Sequence, residues 1–263
     1  MTGERWTAIV LAGQRPGVDP LAAHFGETYK ALVPVAGEAM VTRVVRTLSA
    51  TPRIGRIVVL GQDPDVLREA VSAGGAAEII ASKAGISESI LSVVGTPAAP
   101  WPVLVTTADH PLLTQSMLSA FLAQTGASDV AIGMVERGVV IAAYPDNRRT
   151  WLKFRDGQWS GANLFALRSD AALGALRLWA EAERDRKKAW KLFLYFGPWL
   201  ALRAISRSVS LQDALVVAGK RLGLVAKLVP LAHAEAAIDV DKLSDHALAE
   251  VILARSMRAP TSD

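Results

Sequence analysis

Through the first half of the chain, short apolar blocks alternate with longer stretches in which apolar and polar positions recur at helical spacing. Thr7–Leu11, Arg56–Leu60, Ala77–Ala81, Val103–Thr107 and Asp129–Met134 each read as a buried strand. Most are followed by an amphipathic stretch of roughly 10 to 15 residues. Met40, Val44, Val45 and Leu48 share one helix face, as do Val66, Leu67, Ala70 and Val71 behind the start signal Asp63-Pro64. That alternation predicts a parallel sheet with helices on both faces. In such sheets ligands sit beyond the carboxyl ends of the strands, so the chemistry is sought just after each block.

Past Val139 the blocks shorten. Strands are predicted at Val139–Ala143 and Ala162–Leu167, on either side of the polar and aromatic stretch Tyr144–Gly161, and a helix from Ser169 to about Lys188. Ser210, with Asp213 three residues on, opens a capped helix. A final strand over about Leu231–Val240 and a helix over Ser244–Met257 close the chain. With no internal repeat and no Gly/Ser linker, the expectation is one domain over 1–263, carrying a basic, aromatic-rich helical insertion at about 184–230.

Composition narrows the class. The 263 residues are 51% apolar and 21% charged, which excludes a disordered or collagen-like chain, and the absence of cysteine excludes disulfides and cysteine zinc sites. Met1–Trp6 lacks the basic patch and apolar core of a signal peptide, so the expected location is the cytoplasm. The longest uncharged apolar run, Leu192–Leu202, has 11 residues and contains Gly197 and Pro198, whereas a spanning helix needs about 20. A net charge of +4 is too mild to point to nucleic acid.

The distribution of that charge is more informative. From Arg184 to Lys227 there are ten Lys or Arg against Asp185 and Asp213, so one segment is basic and the body is slightly acidic. Within it, Lys187–Arg203 sets Trp190, Phe193, Tyr195, Phe196 and Trp199 between cations. Rings beside cations suit an anionic lipid headgroup boundary, which would make the protein peripheral at the inner membrane face. The alternative is a helical hairpin that packs on the domain or forms a homodimer contact.

Three stretches could carry chemistry. After the first strand come Leu11-Ala12-Gly13-Gln14-Arg15 and then Lys30-Ala31-Leu32-Val33-Pro34-Val35-Ala36-Gly37. A glycine turn lets backbone amides approach a phosphate, and Lys30 and Arg15 supply charge; a plain turn with solvated cations accounts for this stretch equally well. Asp109 follows the fourth strand in Thr106-Thr107-Ala108-Asp109-His110-Pro111, where a carboxylate can hold Mg2+ or simply form a turn. Asp239 and Asp241, in Asp239-Val240-Asp241-Lys242-Leu243-Ser244-Asp245, fall on one face if this stretch is a strand, and two adjacent carboxylates favour a cation.

Together these stretches resemble the nucleotidyltransferases of the molybdenum cofactor type, the MobA-like NTP transferases of the GT-A-like superfamily. Leu11-Ala12-Gly13 with Arg15 is similar to the family's glycine-rich loop, and Lys30, Pro34 and Gly37 to its Lys-x-x-x-Pro-x-x-Gly element. Thr106–Pro111 looks like its Thr-x-x-Asp-x-Pro stretch, and Asp239-Val240-Asp241 with Asp245 like its last strand and the start of the helix after it. Gly85-Ile86-Ser87-Glu88-Ser89-Ile90 is similar to the turn that faces the base in cytidylyl-transferring members. The family's glycine pair reads Gly13-Gln14 here, Arg15 substitutes by position for an arginine normally further along, and the loop to Lys30 is long.

The resemblance implies a Rossmann-like, three-layer GT-A-type α/β fold with a mostly parallel sheet. It further implies Mg2+-dependent transfer of a nucleotidyl group, CMP favoured, from a nucleoside triphosphate to a phosphorylated alcohol, sugar or lipid, with release of pyrophosphate. Asp109 and Asp239 would hold Mg2+, Arg15 and Lys30 would face the pyrophosphate, and Leu11, Ala12, Gly13, Gln14, Gly85, Ser87 and Ser89 would seat the nucleotide. Lys153 and Asn163 would meet the acceptor. Two alternatives stand beside this one, a molybdenum-cofactor cytidylyl- or guanylyltransferase and a noncatalytic nucleotide-binding or membrane-associated scaffold.

Overall fold

A computed structural model describes residues 4–184 and 206–258. In chain order its elements are β1 (Trp6–Leu11), α1 (Pro20–His24), β2 (Pro34–Val35), β3 (Glu38–Ala39), α2 (Met40–Ser49), β4 (Ile54–Gly61), α3 (Pro64–Gly74), β5 (Glu78–Ala81), α4 (Ile86–Val93) and β6 (Val103–Thr107). Then follow α5 (Gln115–Gln124), β7 (Val130–Glu136), α6 (Arg137–Ala143), β8 (Leu152–Phe154), β9 (Gly157–Leu167), α7 (Leu173–Arg184), α8 (Leu211–Leu222), β10 (Ala226–Pro230) and α9 (Leu243–Arg258).

The main sheet runs β10-β7-β9-β6-β1-β4-β5, with β8 paired to β9. The pairs β1–β4, β1–β6, β4–β5 and β7–β10 are parallel, while β9 runs antiparallel to β6, β7 and β8. Alternation along β1 sends Trp6, Ala8 and Val10 into a core shared with Val44, Leu48, Leu118 and Phe121 of α2 and α5. Ile9 points the other way, into a core shared with Ile90 and Val93 of α4 and Leu176 of α7. The result is three layers, helix, sheet and helix, as the alternating pattern predicts.

Local signals account for the helix starts. Asp63 accepts from the amides of Asp65 and Val66 with Pro64 in the first turn of α3, and Ser210 accepts from the amide of Asp213 to open α8. A smaller core below the carboxyl ends of the strands gathers Leu21, Val33, Val35 and Met40 with Leu112, Ile238, Val240 and Ala249. It joins the β2–β3 hairpin to the last segment of the chain and so supports the site described next.

Three expectations are corrected. Val139–Ala143 is helical, because β7 ends at Glu136, whose carboxylate accepts from the Gly138 amide and caps α6. The strand expected over Leu231–Val240 lies earlier, at Ala226–Pro230 beside β7. Ala234–Ala237, three alanines and a glutamate with no β-branching, turn into a 3-10 helix instead. Asp239 and Asp241 therefore lie in an irregular segment rather than on one face of a strand. The helix expected from Ser169 begins as a 3-10 turn over Asp170–Ala172 and continues as α7.

Of the stretch 184–230, α8 packs on β10 and β10 extends the main sheet. The aromatic run Lys187–Arg203 and the expected helix end at Lys188 lie outside the described residues. Among the described residues no helix is long and apolar enough to cross a membrane.

Candidate nucleotide site

Backbone pairing brings the carboxyl ends of three strands together. The Ala12 amide donates to the Leu60 carbonyl at 2.8 Å, and the Ala108 amide to the Leu11 carbonyl at 2.9 Å, so the loops after β1, β4 and β6 open side by side. The last segment joins them where the Val240 amide donates to the Asp109 carbonyl at 2.9 Å. Above these ends lies a cleft of about 630 Å³. It is lined by Gly13, Gln14 and Arg15 after β1, by Lys83, Gly85 and Ser89 after β5, and by Lys30, Asp109 and Asp241.

Lys30 sits in a 3-10 turn, Lys30–Leu32, behind the long loop. Its Nζ lies 2.6 Å from Asp109 Oδ2 and 2.6 Å from Asp241 Oδ1. Burial alone would depress the ammonium, but the two carboxylates outweigh it and hold the Lys30 pKa well above the ordinary lysine value. Lys30 is therefore a fixed cation throughout the neutral range. Two carboxylates around one ammonium leave a net charge of about −1. Asp109 Oδ1 is buried with no hydrogen-bond partner among the described residues, as is Thr107 Oγ1 beside it. An unshared carboxylate oxygen and a residual negative charge fit a hard cation.

The remaining expected residues are placed as follows. Leu11, Gly13, Gln14, Arg15, Gly85 and Ser89 line the cleft. Ala12 is buried beneath it. Ser87 is fully buried, and its amide donates to the Glu183 carboxylate at 2.9 Å, so α7 caps the start of α4. Ser89 Oγ accepts from the Lys83 amide at 2.8 Å and donates to the Gly85 carbonyl at 2.7 Å, which closes the turn. Asp239 turns away from Lys30 and pairs with Arg149, whose Nε also donates to Ser160 Oγ at 3.3 Å.

Lys153 is exposed on β8, opposite Gln158. Asn163 has φ 50°, at the irregularity where β9 passes Gly133 between Ile132 and Met134. Bulges of this kind re-aim side chains beside functional sites, and Asn tolerates the left-handed conformation better than most residues. His110 is wholly buried; burial lowers its pKa, and its Nε2 lies 3.4 Å from the Glu235 carbonyl. Its surroundings are those of a neutral packing residue.

Gln62 and Lys83, which line the cleft, and Arg149, the partner of Asp239, were not singled out from sequence, and Asp241 lines the cleft beside Asp109. Lys83, two residues before Gly85, carried a usable signal as a cation ahead of the expected base turn. Arg149 carried none beyond belonging to a basic run, since its partner is 90 residues away.

The profile of the MobA-like NTP transferase domain matches residues 8–193. This chain is a MobA-like NTP transferase. No curated protein matches it. Among solved structures, the transferase is similar to a hypothetical transferase from Thermus thermophilus, with 27% identity and a TM-score of 0.78 over 92% of this chain and 99% of that one. It shares its fold with a 4-diphosphocytidyl-2C-methyl-D-erythritol synthase from Anaerococcus prevotii, at 11% identity and a TM-score of 0.57 over 96% and 99% of the two chains. It also shares it with a CMP:2-keto-3-deoxy-manno-octonic acid synthetase solved with CTP, at 16% identity and a TM-score of 0.58 over 95% and 99%. The MobA-like transferase is thus a nucleotidyltransferase of GT-A-like fold, and its donor is a nucleoside triphosphate.

Proposed function

We propose that this transferase moves CMP from CTP to a phosphate monoester and releases pyrophosphate. The observation that carries the reading is the Lys30 ammonium held between Asp109 and Asp241 in a cleft that the Gly85–Ser89 turn also lines. CTP is favoured because that turn is similar to the base-facing turn of cytidylyl-transferring enzymes, and because two proteins of the same fold are a diphosphocytidyl-methylerythritol synthase and a CMP-sugar-acid synthetase solved with CTP.

A phosphate monoester has a second pKa of about 6 and is largely dianionic at neutral pH, so no general base is needed. One acceptor oxygen attacks the α-phosphorus. A new P–O–P bridge forms, the bond to the β-phosphate breaks, and pyrophosphate leaves in line. Lys30 and Arg15 stand where the charge of the departing pyrophosphate grows. Asp109 and Asp241 would hold Mg2+, which when bound neutralises phosphate charge; among the described residues no third carboxylate or histidine joins them, so the rest of its shell would be phosphate oxygen and water. Asp239, the other carboxylate expected to hold the metal, meets Arg149 through Oδ1.

On the acceptor side Arg149 adds a partly buried guanidinium to the expected Lys153 and Asn163. It is held by Asp239, two residues along the chain from the carboxylate on Lys30. The acceptor is a soluble phosphate or a lipid-borne one delivered to the basic aromatic segment. The deciding experiment crosses four nucleoside triphosphates with phosphorylated alcohols, sugars and lipids and reads Mg2+-dependent pyrophosphate release. Release with CTP and one acceptor class supports the reading, and no release with any pair overturns it.

A further inference from the structure

The glutamine in place of the family's second loop glycine has a visible use. The loop after β1 runs along the cleft from Gly13 through Arg15 and Asp19 to Lys30, and the Gln14 side chain ties its two ends together. Gln14 Oε1 accepts from the Lys30 amide at 3.0 Å, and Nε2 donates to the Thr28 carbonyl at 3.3 Å. The two contacts fix the orientation of the carboxamide, since exchanging its oxygen and nitrogen would set donor against donor and acceptor against acceptor. Glycine here would leave both backbone groups without that partner.

Gln14 is itself braced. Gln62, the first residue after β4, accepts from the Gln14 amide at 3.1 Å through Oε1 and donates through Nε2 to the Gln14 carbonyl. A chain of amides therefore runs from the end of β4 through Gln62 and Gln14 to the backbone of Lys30, whose ammonium meets Asp109 and Asp241. A lysine has a long flexible stem, and fixing its backbone removes much of the freedom that would otherwise blur where its charge lies. The Gln14 backbone amide is engaged by Gln62, and one of the two donor hydrogens on its side-chain nitrogen is engaged by Thr28.

We propose that Gln14 is a positioning residue, acting through Lys30 on the phosphates of the donor, with Gln62 as its brace. The inference rests on the reading that Lys30 meets those phosphates. The test is a double-mutant cycle on the full chain, measuring equilibrium binding of inorganic pyrophosphate and of CTP, each with Mg2+, to the native protein, Gln14→Gly, Lys30→Ala and the double variant. Gln14→Gly is expected to weaken pyrophosphate binding about tenfold in the native background and less than about twofold in Lys30→Ala. Gln62→Ala, which leaves Gln14 in place, should weaken it in the same direction by a smaller factor. Equal losses in both backgrounds, or none in the native one, overturn the proposal. If Lys30→Ala binds pyrophosphate as the native protein does, the reading of the cleft fails as well; a loss in Lys30→Ala with none in Gln14→Gly sinks the positioning role alone.

Discussion

Asp109 and Asp241 share one ammonium, yet they differ in setting. Asp109 is mostly buried at the end of a central strand, whereas the Asp241 side chain is 62% exposed, so the former is the stiffer support. Asp109→Ala and Asp241→Ala are each expected to lower Mg2+-dependent pyrophosphate release on the order of a hundredfold, with thermal midpoints within a few degrees of native because neither is part of the core. Full activity in either variant would remove that carboxylate from the site. With Arg149 proposed for the acceptor side, Arg149→Ala should raise the acceptor KM and leave the KM for CTP unchanged. A shift in the CTP value instead would place the guanidinium on the donor.

Helix contacts set two further expectations. A Cβ at Gly74, the last residue of α3, would come within 2.5 Å of the Thr42 carbonyl and 2.9 Å of Val45 Cβ on α2. Backbone cannot yield as a flexible side chain can, so Gly74→Ala should destabilise by about 1–3 kcal/mol, read by urea unfolding. Tyr144, at the end of α6, donates its hydroxyl to the Glu235 carboxylate, and burial followed by that bond raises the phenol pKa above the ordinary tyrosine value. The unfolded chain ionises near pH 10 while the folded phenol keeps its proton, so this contribution is full below about pH 10 and fades as pH rises above it. Tyr144→Phe should flatten that alkaline loss of stability, and an unchanged slope would count against the bond.

The same elements show what was readable from sequence. Blocks such as Val103–Thr107 announced themselves because a strand buried on both faces carries apolar and β-branched residues in an unbroken run. Val139-Val140-Ile141 has the same β-branched look, but a cap at Glu136 and a face with only Val140 buried made it helix. The choice between Asp239 and Asp241 rested on assumed strand alternation. The preceding 3-10 turn breaks that period, and no local pattern reveals which carboxylate then meets a lysine 211 residues away.

On the scale of the whole molecule, the cleft is lined from loops that interrupt different strands, so a bound donor should tie them together. Ligand at 100 times its Kd stabilises by about 2.7 kcal/mol, and for a chain of this size each kcal/mol moves the midpoint by about 2–4 °C. CTP with Mg2+ is therefore expected to raise the thermal midpoint by roughly 5–10 °C, and UTP or GTP by less. A larger rise with GTP would overturn the preference for cytosine.

The backbone bond from Val240 to Asp109 also has a bearing on the life of the polypeptide before it is finished. Strands β1, β4, β5 and β6 can pair before the second half of the chain is made, since β1 pairs with β4 and β6 and β4 with β5, all within Trp6–Thr107. Asp241 arrives with the last tenth of the chain, and until then Lys30 has only Asp109 beside it. A nascent chain that had not yet reached Asp241 would thus hold Lys30 against a single carboxylate, so the ion-pair cluster of the cleft is completed late in synthesis.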